Sequence, residues 1–126
     1  MANTFRSASK ASIGVSEESI YQVSISGGET TKTSILLGVS IANRNANAVT
    51  ASVRLDRPAA TIAGITTDDA FLIKDVPIPA GSTVEIMAGQ KIILSYDTAT
   101  STGDILKASC NTASSIDVIA SFLEIT

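Results

Sequence analysis

Histidine and tryptophan are missing from this chain of 126 residues, and cysteine occurs once. Without histidine, neither a Ser-His-Asp nor a Cys-His catalytic arrangement can form, and no zinc site can use imidazole. The single cysteine, Cys110, has no partner for an intrachain disulfide, and its setting predicts a small buried side chain. The chain has neither a P-loop nor a G-x-G-x-x-G motif. These absences predict a protein that is not an enzyme and that needs no cofactor or metal.

Charge is also scarce. Charged residues make up 17% of the chain and the net charge is −3, whereas soluble domains average ~25% charged residues. The basic residues are scattered, and only Arg44, Arg54 and Arg57 lie near one another in the sequence. Nucleic-acid-binding proteins concentrate basic residues on one face, so we interpret this trio as a solvated edge, with nucleic acid or another acidic partner as the alternative. The low charge favours a surface that neighbours partly cover.

The few remaining chemical signals are acidic. Adjacent carboxylates, as in Asp68-Asp69, point apart in extended structure, which favours solvated charges over a catalytic pair. Residues 97–104 form an oxygen-rich loop without the spacing of an EF-hand, so calcium binding there stays an alternative to a solvated loop. No segment reaches the ~18 apolar residues of a membrane span, and the N-terminus lacks the apolar core of a signal peptide. Synthesis and residence in a cytoplasm are therefore expected.

Apolar residues alternate with polar ones along much of the chain, which is the period of a half-buried strand. Residues 49–57 show this most clearly, and the Asn-rich segment 43–48 predicts a hairpin between them and residues 34–42. The same reading gives strands at 71–78, 83–88, 91–95, 105–110 and 115–125 and one from Ile20. Thr67 is a candidate cap for a short helix. About eight strands, with turn signals every ~8–12 residues, predict an all-β fold, a single antiparallel β-sandwich of jelly-roll or immunoglobulin-like topology.

Two regions depart from this pattern and suggest where neighbours bind. Residues 1–18 are small and polar, which predicts an extended N-terminal arm beside a sandwich domain of residues 19–126. The strand at 115–125 is apolar on both faces, and such a strand is covered on both. Its second cover is either another subunit or the arm of the same chain. The residues predicted to contact another subunit are Ile119, Leu123 and Ile125 on the strand, with Phe5 and Ile13 on the arm.

Between residues 34 and 126 the order of turns and strands resembles a protein family. The segments are ILLGVSIANRNANAVTASVRL, PIPAGSTVEI, GQKIIL, GDILKAS and the closing SSIDVIASFLEIT. Together they resemble small β-sandwich structural proteins of tailed-bacteriophage virions. The resemblance implies a non-enzymatic virion protein, made in the host bacterial cytoplasm and present in multiple copies on the particle. A head decoration, cement or neck position is favoured over the tail.

The same resemblance implies the kinds of partner. They are further copies of the chain and other virion proteins, without a small-molecule substrate. The composition itself predicts no membrane partner and disfavours nucleic acid. The alternative is a receptor- or carbohydrate-binding β-sandwich module of a tail fibre or baseplate. Tyr96, beside the loop at 97–104, is the candidate aromatic for such a site.

Overall fold

The computed structural model describes residues 2–87 and 89–126. The strands in these residues are β1 (Asn3–Ile13), β2 (Glu18–Gln22), β3 (Thr33–Asn43), β4 (Val49–Asp56), β5 (Thr61–Ile62), β6 (Ile65–Thr66), β7 (Ala70–Ile78), β8 (Thr83–Glu85), β9 (Ile92–Asp97), β10 (Thr102–Gly103), β11 (Ile105–Cys110) and β12 (Ile116–Ile125). Eight of them have five or more residues, and these carry the fold.

Two antiparallel sheets form the domain, as the alternating pattern predicts. The six-stranded sheet has the order β1-β12-β3-β9-β10, with β8 also paired to β3. The four-stranded sheet has the order β2-β11-β4-β7, and β5 and β6 form a separate small hairpin. The prediction of an all-β antiparallel sandwich is confirmed.

The long strands pair in a nested order. Of the eight, the first pairs with the eighth, the second with the seventh, the third with the sixth and the fourth with the fifth. A hairpin rolled up in this way is the jelly-roll arrangement.

One predicted hairpin is wrong. Strands β3 and β4 lie in different sheets, because the chain crosses the sandwich between them. The side-chain amide of Asn43 donates to the carbonyl oxygens of Asn47 and Ile78 at 3.0 Å and of Pro79 at 3.2 Å. These bonds hold the crossing, which a local Asn-rich pattern cannot distinguish from a hairpin turn.

The core lies between the sheets. Strand β4 alternates strictly between buried and half-buried positions, and its buried side chains meet those of β3, β11 and β12. Leu36, Ile41, Val53, Leu106 and Val118 are fully buried. Each such side chain contributes about 1.5–3 kcal/mol relative to an exposed one. Cys110 is buried as well, as its setting predicted.

The N-terminal residues form strand β1, and the structure does not show the predicted arm. Asn3 to Lys10 pair with Val118 to Ile125 of the same chain, so β1 is an edge strand of the six-stranded sheet. The register then shifts, with Ser12 at a φ of 58°. This bulge turns Ile13 inward, where it is 0% exposed. The prediction that Ile13 contacts another subunit is therefore wrong, since the side chain belongs to the core.

Among the smaller predictions, those of the turn and the edge strand agree with the structure, and those of the helix and the length of one strand do not. The turn from Pro79 to Ser82 closes through a 3.1 Å backbone bond with Gly81 at positive φ, as expected. Strand β7, which contains Pro77, is an edge strand, as a proline in a strand predicts. The short helix at Thr67 is wrong, because its buried hydroxyl donates to the carbonyl oxygen of Ala59 beside the β5–β6 hairpin. The predicted strand 83–88 is shorter, and Ala88 lies outside the described residues.

Candidate functional site

An apolar row crosses the solvent side of the six-stranded sheet, which we call the outer face. Phe5 pairs with Leu123, Leu123 with Ile35, and Ile35 with Ile93. Residues directly opposite one another in antiparallel strands point to the same side, with Cβ atoms ~5 Å apart. The four side chains therefore form one line across β1, β12, β3 and β9, and we call this line the apolar row.

The two ends of the apolar row are exposed to water although their side chains are large and apolar. Phe5 is 75% exposed and Ile93 is 57% exposed. Leu123 and Ile35, at the centre of the row, are half-buried. Scattered exposed apolar residues are normal on proteins, but a contiguous set points to a contact surface.

Small and hydroxyl side chains flank the row. On one side, Asn3, Thr33 and Ser95 surround Ile125. On the other side, Ser7 faces Ser121, and beyond them Ser9 and Ser40 flank Ile119, which is 51% exposed. By the register, the charged residues of this face are Glu85, Asp97 and Asp117, of which Asp117 pairs with Arg44. A carboxylate oxygen of Glu85 lies close to Gly38, which is the partner of Ser121 on β3. The apolar row itself is uncharged, and acidic side chains stand around it.

A groove interrupts the outer face next to Phe5. The register of β3 and β12 shifts between Ser121 and Phe122, which leaves Leu37 without a partner on β12. The groove has a volume of about 340 Å³ and is lined by Phe5, Arg6, Ser7, Leu37, Ser121 and Phe122. The bulge at Leu37 and the small serine side chains together leave this space open.

Four of the five predicted contact residues lie together on the outer face. They are Phe5, Ile119, Leu123 and Ile125, and Ile13 alone is elsewhere. Ile35, Leu37 and Ile93 belong to the same surface and were not predicted. A strict alternation puts Ile35 and Leu37 on the same side as Val39 and Ile41, but the bulge in β3 reverses the faces. In the sequence, the only sign of this reversal is that the spacing between apolar residues changes along β3.

A polar cluster beneath the outer face holds β12 in place. Glu124 accepts hydrogen bonds from Arg6 Nε at 2.7 Å and from the hydroxyl of Tyr21 at 2.6 Å. Buried Lys32 lies 3.8 Å from the same carboxylate. The ring of Tyr21 stacks on Phe122, with centroids 3.8 Å apart. Since Leu123 stands between these two anchored positions, its side chain is presented on a rigid strand.

This cluster makes the protein sensitive to high pH through Tyr21. Burial, and next the bond to Glu124, raise the pKa of Tyr21 well above its ordinary value of 10.0. Above pH ~10 the tyrosine of the unfolded chain loses its proton while the folded chain keeps it. The unfolded state then binds fewer protons, so the free energy of unfolding falls as pH rises.

We expect this loss to be at most ~1.4 kcal/mol per pH unit, and smaller because solvent screens a half-buried group. Urea unfolding of the natural chain and of Tyr21→Phe, followed from about pH 8 to 11, measures it. The two proteins differ only in the hydroxyl at position 21, so contributions from the rest of the chain cancel in the comparison. The Phe variant should show the shallower decline, and identical slopes would contradict the role given to Tyr21.

The outer side of the four-stranded sheet has the opposite character. Arg54 of β4 donates two hydrogen bonds to Glu17, at 2.7 and 2.9 Å, and one to Asp69 at 2.9 Å. The guanidinium lowers the pKa of Glu17. Lys107 pairs with Asp56 at 2.9 Å. These charges neutralise one another on a hydrated surface, which leaves the outer face as the better candidate for contact.

The three clustered arginines do not act as a basic patch. Arg44, Arg54 and Arg57 each pair with a carboxylate, of Asp117, Glu17 and Asp104 respectively, at 3.4, 2.7 and 3.2 Å. Paired arginines have little charge left for phosphate groups. This arrangement favours the interpretation as a solvated edge.

The loop at 97–104 does not gather its carboxylates. Asp97 accepts bonds from Thr100 within the loop, whereas buried Asp104 accepts from the backbone of Ser95 and pairs with Arg57. In residues 2–87 and 89–126, no group of three or more His, Cys, Asp or Glu side chains could hold a metal ion. The ring of Tyr96 packs against the small cluster of Val23, Leu55 and Leu94. It is therefore not a fully exposed platform for a sugar.

No protein-family profile and no curated protein sequence matches the chain. The described part of the chain also holds no helix long and apolar enough to cross a membrane.

Proposed function

We propose that this protein is a non-enzymatic structural subunit of a tailed-bacteriophage virion, present in multiple copies, with the outer face as its assembly surface. A head decoration, cement or neck position is favoured over the tail. The observation that carries the proposal is the contrast between the two sides of the sandwich. One side is ion-paired and hydrated, and the other presents the apolar row. The jelly-roll arrangement supports it by analogy, since viral capsid proteins use this fold.

The size of the outer face fits an assembly role. Strands lie ~4.8 Å apart and rise ~3.3 Å per residue, so four strands over the length of β12 project roughly 600 Å². Side-chain relief raises the accessible area above this projection. A standard protein interface buries ~800 Å² per partner. The outer face can therefore supply most of one contact without unfolding any part of the chain.

The mechanism follows from apolar burial. Covering the apolar row removes exposed hydrocarbon from water, at ~25 cal/mol per Å². The serine and threonine hydroxyls around it bond easily to a partner or to bridging water. The four side chains of the apolar row are uncharged, so covering them desolvates no ion, and the carboxylate of Glu85 lies beside the row near Gly38.

Particle incorporation tests this proposal. The chain should band with intact virions on a density gradient, and Ile119→Glu should lower its incorporation at least tenfold, because a carboxylate without a partner would be buried. The matched control is Phe71→Glu on β7, where the natural side chain is 49% exposed on the ion-paired side. This variant should be incorporated normally. Recovery of the natural chain only from the soluble fraction would overturn the proposal.

A further inference from the structure

We propose that the outer face binds the outer face of a second copy about a twofold axis, with Phe5 of each copy seated in the groove of the other. This inference rests on the proposed function and names the partner of the same surface. A twofold contact must be self-complementary, because the same patch serves both subunits. The outer face contains both parts that such a contact requires.

The first part is a knob. Phe5 lies on an edge strand and is 75% exposed, the highest exposure among the large apolar side chains of the described residues. Aromatic side chains that enter a pocket of the partner are the commonest anchors of protein interfaces. The rest of the apolar row continues away from Phe5 across the sheet.

The second part is a socket at matching distance. The groove is bounded by Phe5 on one side and by Arg6, Ser7, Leu37, Ser121 and Phe122 around it. Ser7 is two residues from Phe5 on the same strand, so knob and socket are roughly 7 Å apart. An axis that lies in the interface and crosses between them places each Phe5 over the opposite groove. The strands of the two copies then run roughly antiparallel across an aligned sheet packing.

Shape and size favour a second copy over an unlike protein. Exposed Phe5 and the groove lie side by side, so the outer face can fit a copy of itself. The four side chains of the apolar row carry no charge, and the outer face has its carboxylates, Glu85, Asp97 and Asp117, to either side of this row. Its area approaches the ~800 Å² per partner of a stable dimer.

Sedimentation of the purified full chain, from micromolar to millimolar concentration, tests the dimer. Phe5→Ser should raise the dissociation constant about 100-fold, since both knobs are lost and hot-spot aromatics each cost at least tenfold. Ser121→Phe is the sharper variant, because it adds apolar surface but fills the socket. Socket filling should weaken the dimer at least tenfold, whereas general stickiness would strengthen it. Ser109→Phe, on the ion-paired side, is the control and should change nothing.

Cross-linking locates the contact independently. Ser7→Cys should couple to a second copy through a short bismaleimide, because packed sheets lie ~10 Å apart. Ser109→Cys should not, and the natural chain reports any reaction of buried Cys110. A monomer at every concentration overturns the twofold contact. So does a dimer that Phe5→Ser and Ser121→Phe leave unchanged, which would place the contact elsewhere, such as at the edge of β1.

The two proposals fail separately. A chain that is incorporated into virions but stays monomeric in solution overturns the twofold contact and leaves the virion role standing. A chain that dimerises as described but is missing from purified virions overturns the virion role and supports the twofold contact.

Discussion

Gly103→Ala is expected to lower the free energy of unfolding by about 3 kcal/mol or more, toward the upper end of overpacking effects. A Cβ atom at this position would stand 1.8 Å from the carbonyl oxygen of Val23 and 2.7 Å from its carbonyl carbon. Both are backbone atoms, so no side-chain rotation relieves the contact. The main chain of one strand or the other has to move.

Neither strand has room to move. The amide of Val23 donates to the carbonyl oxygen of Asp104 at 3.0 Å. The amide of Asp104 in turn donates to the carbonyl oxygen of Ser95 at 3.0 Å. Val23 itself is fully buried. Separating the strands would therefore break backbone hydrogen bonds and open the small core cluster. Against a total stability of ~5–15 kcal/mol, the loss is large.

Urea unfolding of Gly103→Ala measures the effect, and Gly38→Ala is its matched control. Gly38 also lies in a strand, but the nearest atom to its added Cβ is a carboxylate oxygen of Glu85 at 3.3 Å, which can swing away. Alanine there should be neutral or stabilising by up to ~1 kcal/mol, because glycine weakens strands. Similar losses at both positions would show that close packing at Gly103 is not the cause.

Glu124→Ala is expected to cost about 3 kcal/mol, because it leaves a buried cation without its carboxylate. Lys32 and Glu124 are both about nine-tenths buried, at 3.8 Å from each other, and Arg6 and Tyr21 also bond to Glu124. In the variant, Glu29 still lies 3.2 Å from Lys32 and compensates part of its charge. Removing a partner from such a buried group usually costs more than the pair itself contributes.

A double mutant separates the effect of the uncompensated Lys32 charge from the loss of the other bonds to Glu124. In Glu124→Ala/Lys32→Met the buried cation is gone, so part of the lost stability should return, and thermal or urea unfolding measures how much. The surface comparison is Glu17→Ala, whose partner Arg54 is better solvated, and it should lose no more than ~1 kcal/mol. If the double mutant is less stable than the single mutant, an uncompensated Lys32 charge is not what destabilises Glu124→Ala.

Local patterns predicted the strands well, since alternation is a property of each segment on its own. The half-buried strand at 49–57, the turn at Pro79 and the edge position of Pro77 all follow from residues close in sequence. The pairing of strands does not follow from residues close in sequence. Strands β1 and β12 are at opposite ends of the chain, and no local pattern indicates that Phe5 pairs with Leu123.

Bulges account for the errors in predicting which side of a sheet a residue points to. One extra residue in a strand moves every later side chain to the other side. The bulge before Ile13 moves it into the core, and the bulge at Leu37 brings Ile35 out to the solvent. The contact surface was therefore predicted on β12, where alternation is unbroken around Ile119, Leu123 and Ile125, and missed on β3.

The nested strand order also implies a sequence of folding events. Only the innermost pair, β4 with β7, joins neighbouring long strands, and each pair outside it closes a longer loop. Loop closure becomes entropically costlier with length unless the inner pairs have already brought the ends together. Strand β1 should therefore dock on β12 last and detach first. Since Phe5 is on β1, the apolar row is complete only on a finished subunit, so the assembly proposed through this face would be closed to partly folded chains.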